Sequence, residues 1–120
     1  MNIQQPGILL AALLLSASGV PAAQSVPKGD AVHGRKIYAS YGCALCHGYQ
    51  GQGSNAGVKL APDPAPYAAF AYQVRQPRAR MPAYVLKIVS DQDLADIYVY
   101  LLTIPKARTV AEIPMLADPR

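Results

Sequence analysis

The pentapeptide Cys-Ala-Leu-Cys-His at residues 43–47 constrains this chain more than any other feature. Cys43 and Cys46 lie three residues apart, so on a tight helical turn each thiol can form a thioether with one vinyl group of the same porphyrin. The next residue, His47, can then present its imidazole to the iron as the proximal ligand. The pattern therefore predicts one covalently bound haem c.

Two other interpretations of the cysteines fit the sequence less well. A thioredoxin-like redox pair would lie within a strand–helix–strand pattern, which the flanking sequence lacks. A structural zinc site takes about four ligands, whereas the chain contains 2 cysteines. Because the two thioethers would use both thiols, no disulfide is expected.

The first 23 residues have the composition of an exported leader. Residues 8–20 are a run of apolar and small residues, and Val20-Pro21-Ala22-Ala23 follows as a cleavage site, as in a secretory signal peptide. Residues 1–7 carry no Lys or Arg, so an uncleaved anchor is the alternative, although the apolar run is shorter than the roughly 20 residues that span a bilayer. We expect a cleaved signal peptide and a periplasmic location, with membrane association only if the segment is not cleaved.

The charge distribution favours protein partners. The chain has a formal net charge of +4, and no charged residue lies in the first 23. A modest positive charge suits docking on an acidic protein surface. Nucleic acid is not expected as a partner, because the sequence has no dense Lys/Arg run with interleaved aromatic residues.

The first predicted helix begins with Asp30 as its N-cap and runs to about Tyr41. Gly34 lies inside it, where glycine costs about 1 kcal/mol relative to alanine; a close crossing by another helix would explain that choice. His33 lies on the same helix and is the second of 2 histidines. We expect it to face solvent rather than to bind iron.

Two further helices are predicted, over residues 67–75 and 90–103. The second of them begins with Ser-Asp-Gln-Asp, a capping box, and continues with apolar residues at helical spacing. We expect the face of this last helix that carries Tyr98 to cross the first helix at Gly34 and Tyr38.

A glycine-rich loop and a proline-rich segment follow the pentapeptide. Residues 48–57 contain four glycines, which predicts an irregular loop that lets the backbone pass close to a flat porphyrin. In residues 58–66, a carbonyl beside Pro62 or Pro64 could accept the Nδ1–H of His47 and make the imidazole a better donor to iron. Spacing does not choose between the two prolines, and an ordinary extended linker is the alternative.

Met81 is the candidate for the second axial ligand. Of the 3 methionines, Met1 lies in the leader and Met115 in the tail beyond the last helix. Met81 lies in an irregular segment between two predicted helices, where a flexible thioether can reach the iron from the side opposite His47. A lone methionine is also a common filler of gaps in cores, which is the alternative.

In this order, the motifs resemble those of class I cytochromes c of the small bacterial periplasmic type. The resemblance covers about residues 28–104 and rests on the first helix, the Cys-x-x-Cys-His motif, the sequence Met-Pro-Ala-Tyr from Met81 and the capped last helix. Cytochromes c′ carry the motif near the C-terminus and fit less well. The resemblance implies an all-α cytochrome c fold, about three to five helices around one covalent haem, with iron ligation by His47 and Met81.

These interpretations give a domain organisation and a function. We expect a signal peptide at 1–23, a cytochrome c domain at 24–104 and a proline-containing tail at 105–120. The resemblance implies transfer of single electrons between periplasmic or membrane redox proteins, with a dehydrogenase, an oxidase or a cytochrome complex as partner, and no enzymatic activity of its own.

Two alternatives stay open. The chain could be a haem c subunit held permanently in a dehydrogenase or oxidase complex, with the tail from Pro105 as its docking strap. It could also be a haem sensor or enzyme with an open iron site, which requires that Met81 does not bind.

Four cations flank Met81 in the sequence, and we hypothesise that they surround an exposed haem edge and dock an acidic partner face. Partner turnover would then fall as salt rises. A solvated run of charges is the ordinary alternative. The four are Arg75, Arg78, Arg80 and Lys87.

Overall fold

A computed structural model describes residues 25–117. Within that range the protein is all-α, as predicted, and it contains no strand. The elements in chain order are α1 (Ala31–Ser40), α2 (Cys43–His47), α3 (Tyr67–Arg75), α4 (Asp91–Leu102), a 3-10 turn (Val110–Glu112) and α5 (Pro114–Ala117). The predicted signal peptide at 1–23 lies outside the described residues and stays a prediction. None of the helices in residues 25–117 has both the length and the apolar character needed to cross a membrane.

The ends of the long helices follow the local signals. The Asp30 side chain caps α1 by accepting hydrogen bonds from the N–H groups of Val32 and His33. Ser90 and Asp93 form the predicted capping box of α4, in which each side chain accepts from the other's backbone N–H. These contacts satisfy N–H groups that the first turn of a helix leaves without a partner.

Helices α1 and α4 cross at backbone contact. A Cβ on Gly34 would overlap the carbonyl oxygen of Asp96, which explains the interior glycine and confirms the predicted crossing. The ring that meets Tyr38 is Tyr100, at a centroid distance of 5.6 Å, so the prediction of Tyr98 on this face is wrong. At about 100° per residue, positions 96 and 100 share a face of the helix, and position 98 lies on the other side.

Tyr98 turns instead toward α3. Its ring lies 5.2 Å from that of Tyr67 and 5.4 Å from that of Phe70. Because α1 packs on one side of α4 and α3 on the other, α4 is buried nearly all round, including Leu94 and Leu101. Full burial of a leucine side chain contributes roughly 1.5–3 kcal/mol, which makes α4 the central element of the core.

His33 is exposed, as predicted, and its ring also contacts the buried carboxylate of Asp96. His33 donates its Nδ1–H to Oδ2 of Asp96 at 2.7 Å, and Oδ1 of Asp96 accepts from the Asp30 N–H at 2.8 Å and from Gln92 Nε2 at 2.9 Å. Burial alone would raise the pKa of Asp96, but these hydrogen bonds outweigh it and hold that pKa below its usual value. Asp96 therefore joins the start of α1 to the middle of α4.

The C-terminal segment is less extended than predicted, because residues 110–117 form two short turns. The carboxylate of Glu112 accepts from the N–H and the hydroxyl of Thr109 at 2.6 and 2.8 Å, and Pro114 occupies the first position of α5, which suits proline. Three apolar side chains of these turns are exposed: Val110, Met115 and Leu116.

Candidate cofactor site

The two cysteines lie on one turn, α2, directly after the end of α1. Gly42 joins the two helices in a left-handed conformation with φ 80°, which a side chain would disfavour. Cys43 packs against the core, and Cys46 is exposed. Burial raises the pKa of the Cys43 thiol to about 11. Both thiols are free, so neither is used by a disulfide.

His47 is oriented by a backbone carbonyl. Its Nδ1 lies 2.7 Å from the carbonyl oxygen of Val58, so Nδ1 carries the proton and the lone pair of Nε2 stays available to a metal. The predicted acceptors beside Pro62 and Pro64 are therefore wrong. Gly57 lets the loop come close enough for the Val58 carbonyl to reach the ring. A Cβ on Gly57 would lie 2.9 Å from His47 Nδ1 and 2.8 Å from the Cys46 carbonyl oxygen.

The glycine-rich loop is irregular, as predicted, and it turns back on α2 earlier than the sequence suggests. The Gly53 N–H donates to the His47 carbonyl at 2.8 Å, and the Ser54 hydroxyl donates to the Cys46 carbonyl at 2.6 Å. Because these bonds close the loop within a few residues, Val58 comes beside the imidazole and the prolines lie beyond it.

Two buried tyrosines attach this loop to the crossing of α1 and α4. The hydroxyl of Tyr38 donates to the Gly48 carbonyl at 2.9 Å, and that of Tyr100 donates to the Tyr49 carbonyl at 2.6 Å. The helix crossing thus determines where the chain leaves His47.

Met81 lies in the segment between α3 and α4, partly buried against the core that also contacts Cys43 and Tyr84. The Tyr84 hydroxyl donates to the Tyr41 carbonyl at 2.9 Å, which joins this segment to the end of α1. Burial is the main cause that raises the pKa of Tyr84, and the Cys43 and Cys46 thiols add to it. The methionine segment therefore lies beside the cysteine pair.

Arg75 holds the half of the methionine segment that follows Met81. Its Nη1 donates to the carbonyl oxygens of Tyr84 and Val89 at 2.8 and 2.7 Å, and its Nη2 contacts Asp91 Oδ1 at 2.8 Å. The side chain is 20% exposed, so the hypothesis that Arg75 belongs to a ring of docking cations does not hold for this residue. Arg78, Arg80 and Lys87 are exposed.

The residues present fit a covalently attached haem. Cys43 and Met81 pack against one core, and Cys46 and His47 lie on the same turn as Cys43. Leu45, between the cysteines, is 80% exposed, and Val58, whose carbonyl orients His47, is 73% exposed. Such apolar side chains are stabilised when a flat apolar group covers them.

Sequence reasoning missed two contributors to the site. Val58 carries no side-chain signal, because its backbone carbonyl is what acts. Gln73 could have been identified from the sequence, because it is the one amide side chain in the predominantly apolar and aromatic helix 67–75. Its Nε2 lies 4.0 Å from the Met81 sulfur.

A family model described as cytochrome c oxidase, cbb3-type, subunit III matches residues 29–101. The matched span begins just before α1, ends in the last turn of α4, and contains the pentapeptide and Met81. Comparisons with curated proteins and with solved structures give no significant match.

Proposed function

The chain belongs to the family of the cbb3-type cytochrome c oxidase subunit III, whose domain is a c-type cytochrome, and we propose from this premise that it carries single electrons between redox proteins. The family supports haem-based electron transfer. The finer proposal is a single haem c attached through Cys43 and Cys46, with its iron held by His47 and Met81. We also propose that the protein is exported to the periplasm and that its leader, residues 1–23, is removed there.

The residues of the site have separate tasks in this proposal. When bound, the haem supplies the one-electron couple. Cys43 and Cys46 hold it from one helical turn. The Nδ1–H of His47 donates to the Val58 carbonyl, which fixes the ring and makes Nε2 a better donor to iron. Met81 offers a soft thioether, which favours the ferrous state and a higher potential.

The observation that carries the proposal is a hydrogen bond of His47, which lies on the same turn as the paired thiols. Its Nδ1–H donates to the carbonyl of Val58. A metal-binding imidazole characteristically donates its second N–H to an oxygen.

Absorption spectra of the protein, expressed in the periplasm with haem c maturation, test the ligand set. We expect the pyridine haemochrome of two thioethers and the weak red-edge band that methionine gives to ferric haem c. Met81→Ala should lose the band and bind CO when reduced. Met115→Ala is the matched control, because Met115 is 88% exposed in the tail, and it should keep the band. A wild-type protein that lacks the band and binds CO would favour the open-site sensor or enzyme.

The exposed cations near Met81 support docking on an acidic partner. We propose that Arg78, Arg80 and Lys87, without Arg75, face the partner. The rate of electron exchange with the partner should fall as ionic strength rises. Reversal of these three charges to Glu should slow exchange at low ionic strength and abolish that fall, because two acidic faces repel each other. Reversal of the exposed Arg35 and Lys36 on α1 is the control.

A permanent subunit is the second candidate. It is favoured by the family, which is named for an oxidase subunit, and by the exposed Val110, Met115 and Leu116 of the tail. Co-purification of the chain with a dehydrogenase or oxidase complex at fixed stoichiometry would support it. Removal of residues 105–120 should then release the cytochrome domain from that complex. Recovery of the full chain as a free protein would support the mobile carrier.

Cell fractionation and N-terminal sequencing test the proposed export. We expect mature protein in the periplasmic fraction with an N-terminus near Gln24. An intact Met1 in the membrane fraction would instead indicate an anchor.

A further inference from the structure

Gln73 lies on the last turns of α3 with its amide directed at the Met81 sulfur. The distance from Nε2 to Sδ is 4.0 Å, and both side chains are partly buried. Phe70 and Val74 on the same helix face the core, so Gln73 occupies the border between the core and solvent. The methionine segment runs along this border, so the side chains of Gln73 and Met81 meet there.

The backbone around both residues sets this contact. The Tyr84 N–H donates to the Val74 carbonyl at 3.1 Å, and Arg75 binds the carbonyl oxygens of Tyr84 and Val89. The residues next to Gln73 are thus hydrogen-bonded to the segment that carries Met81. Because the two backbones are joined, the side chains of Gln73 and Met81 start from neighbouring positions.

The chemistry of the pair gives the contact a direction. An amide N–H donates, and a thioether sulfur is a weak acceptor. A donated hydrogen bond withdraws electron density from the sulfur, so the sulfur becomes a weaker donor to ferric iron. The positive end of the amide dipole also lies toward the site and disfavours the more positive ferric state. Both effects favour the ferrous state.

We propose that Gln73 donates a hydrogen bond to Sδ of Met81 and thereby raises the reduction potential of this protein. Gln73 is then a positioning and tuning residue that acts through Met81. The inference rests on the proposed function, because it requires that Met81 binds the iron.

Equilibrium redox titration of the haem-loaded protein tests the proposal with Gln73→Leu, which removes the donor at similar volume. The matched control is Gln76→Leu, a residue at the exposed end of the same helix. At a fixed mediator potential, we expect the ferric-to-ferrous ratio to rise about threefold to tenfold in Gln73→Leu. At 59 mV per decade this is a potential lower by about 30–60 mV. Gln76→Leu should match the wild type.

A second measurement needs no variant. In the NMR spectrum of the ferrous wild-type protein, the Gln73 side-chain amide protons should exchange slowly with solvent and show a cross-peak to the Met81 methyl group. Fast exchange with no cross-peak would overturn the proposal, even if Gln73→Leu failed to fold.

The outcomes separate this inference from the proposed function. If the wild type lacks the methionine band, Met81 is not a ligand and both proposals fail. If the band is present and Gln73→Leu has the potential of Gln76→Leu, only the tuning role is overturned. Loss of the band in a folded Gln73→Leu protein would also overturn tuning, because Gln73 would then be required for ligation itself.

Discussion

Gly34 on α1 lies against the peptide group that joins Asp96 to Ile97 on α4. A Cβ at position 34 would overlap the Asp96 carbonyl oxygen and lie 2.9 Å from the Ile97 nitrogen. Both obstacles are backbone atoms, which cannot move aside as a flexible side chain can. Because α1 leads into α2 through Gly42, this contact also determines where the cysteine-bearing turn begins.

Gly34→Ala should therefore destabilise the protein despite the better helix propensity of alanine. The added methyl group has no space, and we expect the free energy of unfolding to fall by about 3 kcal/mol, against a gain of about 1 kcal/mol from propensity. Urea unfolding measures the difference. Lys36→Ala, at an exposed position of α1, is the control, and equal stability of the two variants would contradict the close crossing.

The hydrogen bonds that Asp96 accepts predict a stability that depends on pH. The folded-state pKa of Asp96 lies below its pKa in the unfolded chain, which is about 3.9. The carboxylate therefore makes its full contribution to the free energy of unfolding at any pH well above about 3.9. This contribution is lost as the pH falls through the lower folded-state pKa. The urea midpoint of the wild type should therefore drop as the pH is lowered below about 4.

Asp96→Asn isolates this contribution. We expect a loss of about 1.5–3 kcal/mol at neutral pH, typical of hydrogen bonds to a charged group, and a smaller drop in acid than in the wild type. Asp63→Asn is the control, since Asp63 pairs with Lys106 on the surface. If the urea midpoint fell equally with pH in Asp96→Asn and in the wild type, other carboxyl groups would be the cause of the acid destabilisation.

Arg75 and Arg78 should differ in kind although they lie three residues apart. Arg75→Gln removes the donor to the Tyr84 and Val89 carbonyls, so the methionine band should disappear at lower temperature than in the wild type. The free energy of unfolding should fall by about 2 kcal/mol. Arg78→Gln should leave both unchanged and weaken the salt dependence of partner exchange. An interchange of these phenotypes would contradict the assignment of Arg75 to structure.

Gly57→Ala should loosen the support of His47. The added Cβ would lie 2.9 Å from His47 Nδ1 and 2.8 Å from the Cys46 carbonyl oxygen, so the loop must shift and lengthen the bond to Val58. We expect faster exchange of the His47 Nδ1 proton with solvent, measured by NMR on the ferrous protein. Asn55→Ala, an exposed change in the same loop, serves for comparison, and equally slow exchange in both variants would refute this role of Gly57.

Some of these features were predictable because short-range contacts produce them. The N-cap of α1, the span 67–75 of α3 and the capping box of α4 depend on residues a few positions apart, and all three agree with the structure. The spacing of Cys43 and Cys46 likewise predicts two thiols on one turn. The place of Met81 in an irregular segment follows from the helices on either side of it.

The sequence by itself therefore determined the helices and the ligand candidates, whereas the tertiary structure decided which groups support them. Val58 replaces the prolines as the acceptor of His47 because the loop closes early, and Tyr100 replaces Tyr98 because of the rotation of α4 about its axis. Gln73 contacts Met81, and Arg75 contacts the segment that carries it, because α3 lies beside that segment. Each of these depends on where two distant segments meet, which spacing along one chain does not specify.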